Sequence, residues 1–145
     1  MGRILAIDYG TKRIGLAVTD PLQMFASPLN TVSPEDFDSF IEDYMKSEEV
    51  EAFVVGYPVQ MNNKPSEALN YINPFIKKLN KTFPDKVIHL ADERYTSRMA
   101  LRIMIDGGVK KKDRQDKSMV DKISASIILQ SFLDNRSNKK NVEIK

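Results

Sequence analysis

Ile4-Leu5-Ala6-Ile7-Asp8-Tyr9-Gly10-Thr11-Lys12-Arg13-Ile14-Gly15-Leu16-Ala17-Val18 is the stretch that decides the fold. An apolar run ends in an acid, a basic turn bounded by glycine follows, and a second apolar run returns. Residues 3 to 8 read as a buried strand and residues 14 to 18 as its antiparallel partner. A hairpin of this kind puts the Asp8 carboxylate and the cations of Lys12 and Arg13 at one end of a sheet. An acid inside a buried strand pair is costly unless it is paired or holds a cation, which makes Asp8 a candidate metal ligand. The competing reading is local: Asp8 accepts hydrogen bonds from the turn backbone, as Asx residues often do.

Outward from the hairpin, Phe25 to Val32 predicts a third strand, which Pro28 marks as an edge or a bulge. Ser33-Pro34-Glu35-Asp36 is a helix start, with a capping serine and acids at the positive dipole end. Phe37, Phe40, Ile41, Tyr44 and Met45 follow at helical spacing and are core residues. Ala52 to Gly56 is a fourth strand. A second helix carries Leu69, Ile72, Ile76 and Leu79, begins near Ser66 and bends at Pro74. Val87 to Ala91 is a fifth strand, which delivers Asp92-Glu93-Arg94. A helix over residues 98–105 stops at Gly107-Gly108, a basic loop follows, and a last helix runs from about Met119 to Leu133. Three hairpin-linked strands and two strands reached through helices predict an α/β fold, a mixed five-stranded sheet flanked by helices. Residues 1–145 are expected to form one domain, with about 135–145 a flexible tail.

Bulk composition narrows the class. Hydrophobic content of 41% with 29% charged residues is that of a soluble globular chain. No apolar run is long enough to cross a bilayer, so no membrane partner is expected. With no cysteine, disulfides and thiolate metal sites are excluded, and a cytoplasmic location is the simple fit. The net charge of +2 does not by itself announce nucleic acid. Its distribution is more telling, because Lys110, Lys111, Lys112, Arg114 and Lys117 crowd one segment. Such a cluster is either a solvated loop or a phosphate-binding one.

The acids at strand ends carry the chemistry. Glu93 and Asp92 close the fifth strand as Asp8 closes the first. Asp121 sits within Ser118-Met119-Val120-Asp121, where it matches a capping box. Its helical line, however, is Ala125, Ile128 and Phe132, an apolar face with one small residue that permits close approach to the sheet. A sheet-facing acid at the rim of a buried helix suits a metal ligand better than a solvated cap. Carboxylates without cysteine and with a single histidine favour Mg2+ or Mn2+. A pair of such ions activates water and stabilises the leaving oxygen in phosphodiester cleavage. Walker, GxSxG and HExxH motifs are absent from the sequence.

Four blocks resemble the YqgF family, also called RuvX, of ribonuclease-H-like bacterial proteins: Ile7 to Gly15; Val54-Val55-Gly56-Tyr57-Pro58 with Met61; Asp92 to Ser97; and Asp121 to Leu129. The resemblance covers nearly the whole chain. It implies a ribonuclease-H-like fold and a nuclease, either maturing the 5′ end of pre-16S ribosomal RNA or resolving Holliday junctions. Carried over by position, Asp8, Glu93 and Asp121 become the catalytic acids and metal ligands, with two Mg2+ or Mn2+ ions implied. Lys12, Arg13, Arg94, Arg98, Lys110, Lys111, Lys112 and Arg114 are the expected contacts to pre-rRNA or branched DNA. The assembly is expected to be a monomer or homodimer. Tyr57 replaces the usual leucine, and Ser124 and Ser126 interrupt an alanine-rich pattern. Two other functions compete. Asp8-Tyr9-Gly10-Thr11 also resembles the phosphate loop of actin-like ATPases, although one domain supplies one wall of such a site. The chain also fits a non-catalytic nucleic-acid-binding factor.

Overall fold

Side-chain alternation along the first strand divides the molecule into layers. The computed structural model describes residues 2–58, 69–92, 107 and 116–143. Strand β1 (Arg3–Tyr9) pairs antiparallel with β2 (Ile14–Thr19), matching Leu5 with Val18, Ile7 with Leu16 and Tyr9 with Ile14. These residues share one face. The intervening pairs, Ala6 with Ala17 and Asp8 with Gly15, share the other. The first face is large and apolar; the second is built of small residues with an acid at its end.

Strand β3 (Ala26–Val32), helix α1 (Phe37–Ser47), strand β4 (Val50–Tyr57), helix α2 (Leu69–Thr82), strand β5 (Val87–Asp92) and helix α3 (Lys117–Glu143) complete the described elements. The sheet order is β3-β2-β1-β4-β5, with β1, β4 and β5 parallel to one another and β2 and β3 antiparallel to their neighbours. This is the expected mixed five-stranded sheet. Because β1, β4 and β5 are parallel, their C-terminal ends emerge along one edge, where Tyr57 pairs with Asp92.

Helices α1 and α2 cover the large-residue face: Phe37, Ile41 and Leu79 join Leu5, Ile7, Leu16, Phe53 and Val55 in one core. Helix α3 covers the small-residue face, where Ala125, Ile128, Leu129 and Leu133 pack on Ile4, Ala6, Ala17 and Val54. Burying Ile128, Leu129 and Leu133 contributes about 1.5–3 kcal/mol each, enough to hold the helix axis firmly on the sheet.

Local differences from the sequence reading have local causes. The β3 edge position and its irregularity follow Pro28 as expected: Leu16 pairs with Asn30 and Ala17 with Pro28, leaving Leu29 as the extra residue. The first helix begins at Phe37 because Ser33 to Asp36 forms a separate turn, in which the Asp36 N–H donates to the Ser33 carbonyl at 3.1 Å and to its Oγ at 3.3 Å. Pro74 does lie inside α2. Helix α3 begins two residues before the expected Met119, because Asp116 caps it: its Oδ1 accepts from the Ser118 N–H at 3.0 Å. It also continues to Glu143, well past Leu133, since no glycine or proline interrupts residues 134–143.

Candidate active site

Asp8 ends the buried part of β1 on the face that α3 covers. Opposite it, Gly15 makes room for that helix. A Cβ built at Gly15 would lie 2.1 Å from the Asp121 carbonyl oxygen and 3.1 Å from the Asp121 Cβ. The backbone of α3 at Asp121 therefore rests directly on β2, and only a residue without a side chain permits it. Asp8 and Asp121, 113 positions apart in sequence, thus meet across one glycine.

Among the described residues, both acids line a cavity of about 250 Å3 together with the hairpin tip, Tyr9 to Arg13. The tip is itself tight, since a Cβ on Gly10 would come within 2.6 Å of the Arg13 carbonyl oxygen. Lys12 is exposed on it. Arg13 turns inward, and its Nε donates to Asp121 Oδ2 at 2.6 Å. The pair is partly open to solvent, with side-chain exposures of 40% for Arg13 and 21% for Asp121.

This geometry separates the two readings of Asp121. The cap of α3 is Asp116, so Asp121 is not spent on the helix terminus, and its carboxylate engages a cation from another element. Arg13 was expected to grip phosphate; the structure gives it Asp121 as a partner, a contact that sequence spacing could not signal. Gly15 carried a readable sign, because glycine inside a strand often marks a close backbone approach. Ser124, one turn beyond Asp121, is buried, and its Oγ has no partner among the described residues. Ser126 instead donates to the Ile123 carbonyl at 2.7 Å.

His89 lies within β5. Its ring packs on Phe132 at 4.8 Å between centroids. Burial, aided by the charge of Arg136, holds its pKa below the ordinary value. Glu93, Arg94, Arg98, Lys110, Lys111, Lys112 and Arg114 lie outside the described residues. Among the described residues no group of three acids or histidines is placed to hold a metal ion, and no helix is long and apolar enough to cross a membrane.

Residues 2–135 match a family model described as RuvX: Holliday junction resolvase. A protein of Amoebophilus asiaticus named "Putative pre-16S rRNA nuclease" is 56% identical over 133 residues, covering 92% of this chain and 94% of its own. One of the same name from Phocaeicola vulgatus is 53% identical over 136 residues, covering 94% and 98%. Among solved structures, RuvC of Thermus thermophilus in complex with a Holliday junction substrate superposes with a TM-score of 0.54 at 18% identity, covering 94% of this chain and 96% of that one. At that identity the likeness concerns the fold, which is ribonuclease-H-like.

Proposed function

Because this chain belongs to the RuvX family, we propose that it is a metal-dependent endonuclease on structured nucleic acid whose reaction is 5′-end processing of pre-16S rRNA. The observation that carries the reading is the meeting of Asp8 and Asp121 across Gly15, in a cavity walled by a basic hairpin. Two carboxylates brought together by separate elements, with no cysteine thiolate in the chain, form a donor set for hard divalent cations. The guanidinium of Arg13 already sits on Asp121, which marks the spot as one where positive charge is stabilised. Glu93 follows Asp92, the last residue of β5, in the chain. Strand β5 runs parallel to β4, and β4 to β1, so Glu93 is proposed as the third acid at the edge that carries Asp8.

Within this scheme Asp8, Glu93 and Asp121 hold Mg2+ or Mn2+. When bound, the cations supply water activation and stabilisation of the leaving oxygen. Gly15 sets the depth at which α3 presents Asp121. Lys12 and Arg13, with Arg94, Arg98, Lys110, Lys111, Lys112 and Arg114, contact backbone phosphates, which gives affinity with little sequence preference and a steep salt dependence.

End-labelled pre-16S rRNA fragments and four-way DNA junctions, incubated with purified protein with and without Mn2+, test the reading. The expected result is Mn2+-dependent cleavage at the 5′ side of the RNA, lost in Asp8→Asn and Glu93→Gln. Cleavage of the junction alone would assign the family's other reaction. Tight binding of both substrates without cleavage of either would make the protein a non-catalytic factor.

A further inference from the structure

On the opposite side of Tyr9 from the acid cavity lies a second cavity, of about 340 Å3, between α1 and α2. We propose that it is a subsite for one unpaired nucleobase of the substrate, next to the phosphate that lies at the cavity of Asp8 and Asp121. The proposal rests on the nuclease reading above and adds a site to it.

Tyr9 lines both cavities. It directly follows Asp8, and strand alternation sends the two side chains to opposite faces. Because Tyr9 borders both cavities at the end of β1, a nucleotide whose phosphate lies at the acid cavity can carry its base past the strand end to the Tyr9 side. The wall that the base would meet is aromatic and already fixed. Tyr9 stacks on Phe75 at 4.4 Å, and Phe37 meets the same Phe75 ring edge-on at 5.2 Å. Rings locked in this way lose little further freedom on binding.

Tyr71 is the exception in this cluster. It also lines the cavity, yet it is 55% exposed, a large ring left in water on the first described turns of α2. A base stacked on it would cover apolar surface that the protein leaves open. The polar groups suit the edges of such a guest. The Asn70 amide at the rim offers both a donor and an acceptor to a base edge. Lys78, 71% exposed and only loosely paired with Asp38 at 3.4 Å, can turn to a flanking phosphate. Aromatic faces with a few edge-reading polar groups are how unpaired RNA bases are bound, and the volume falls in the range of small-ligand pockets, about 300–1,000 Å3.

The test uses full-length protein with Ca2+ in place of Mg2+ or Mn2+, so that the acids stay neutralised while the looser coordination of Ca2+ disfavours cleavage and binding is read. A single-stranded RNA carrying one 2-aminopurine and a duplex of the same sequence are titrated against wild type and Tyr71→Ala. The expected result is quenched fluorescence for the single strand. In Tyr71→Ala its affinity should fall by about tenfold or more, the usual worth of one base–aromatic stack, with duplex affinity unchanged. Equal effects on both RNAs, or none on either, would overturn the subsite. Failure of wild type to bind either RNA would remove the nucleic-acid reading itself, and the subsite with it. Asn70→Ala serves as a second variant: its loss of affinity should depend on which base stands at the labelled position, which a general loss of packing would not produce.

Discussion

Gly15→Ala adds one methyl group to the middle of the site and has a computable consequence. The new Cβ would stand 2.1 Å from the Asp121 carbonyl oxygen and 2.4 Å from its carbonyl carbon, where ordinary contact begins at 3.4 Å. The obstructing atoms are helix backbone, so no side-chain rotation relieves the clash. Helix α3 must withdraw by roughly 1.3 Å at this point, the shortfall from ordinary contact. Overpacking of this kind costs about 1–3 kcal/mol and occasionally more. Withdrawal also strips contact from Ala125 and Ile128, both fully buried against the sheet, which places the effect at the upper end, about 3 kcal/mol. For a domain of this size that lowers the melting temperature by roughly 6–12 °C. Thermal unfolding by circular dichroism reads it directly, and Mn2+-dependent cleavage should fall further than the folded fraction does, because Asp121 moves with the helix. The sign is informative. Without the close approach, alanine would be neutral or mildly stabilising, since it restricts the unfolded chain. A Gly15→Ala protein that melts no lower than wild type would refute the packing of α3 on β2.

Further outcomes follow from the same geometry. Asp8→Asn should keep the fold while abolishing metal-dependent cleavage and the stabilisation by Mn2+; equal Mn2+ shifts in both proteins would remove Asp8 from the ligand set. Arg13→Ala should tighten Mn2+ binding, measured by calorimetry, more than Lys12→Ala does, because both remove one charge but only Arg13 occupies Asp121. Its effect on stability should stay within about 1 kcal/mol for a pair this open to solvent, and indistinguishable Mn2+ affinities in the two variants would rule out competition. Ser124→Ala should raise stability by about 1 kcal/mol or more in urea unfolding, since it deletes a buried hydroxyl with no described partner; a loss would reveal a bridging water. Burial, reinforced by Arg136, holds the His89 pKa below 6.5, so the unfolded chain takes up a proton that the folded one refuses. Stability should therefore fall as pH drops through about 6.5, levelling off only below the folded pKa, and His89→Gln should flatten that slope between pH 7.5 and 5.5; an unchanged slope would assign the acid sensitivity elsewhere.

The sheet was legible in the residue pattern because its information is local. Alternating apolar runs, one Gly-bounded hairpin and a proline at the edge strand encode the strands and the β3 irregularity without knowledge of distant partners. Helical spacing in Phe37, Ile41, Ile72 and Leu79 likewise marked the residues that reach the core. Where two local signals competed, the boundary shifted: Asp116 outranked Ser118 as the cap of α3, and the Ser33–Asp36 turn delayed α1. Asp8 and Asp121 were each recognisable as acids set in apolar surroundings, and their membership of one site followed from matching four motifs. Their juxtaposition is another matter. It depends on how closely a helix can lie on a strand more than a hundred residues away, and that is set by the missing side chain of Gly15. The inward turn of Arg13 and the sharing of Tyr9 between two cavities are likewise products of packing. A chain pattern specifies which face a residue occupies; only the assembled layers decide what stands opposite it.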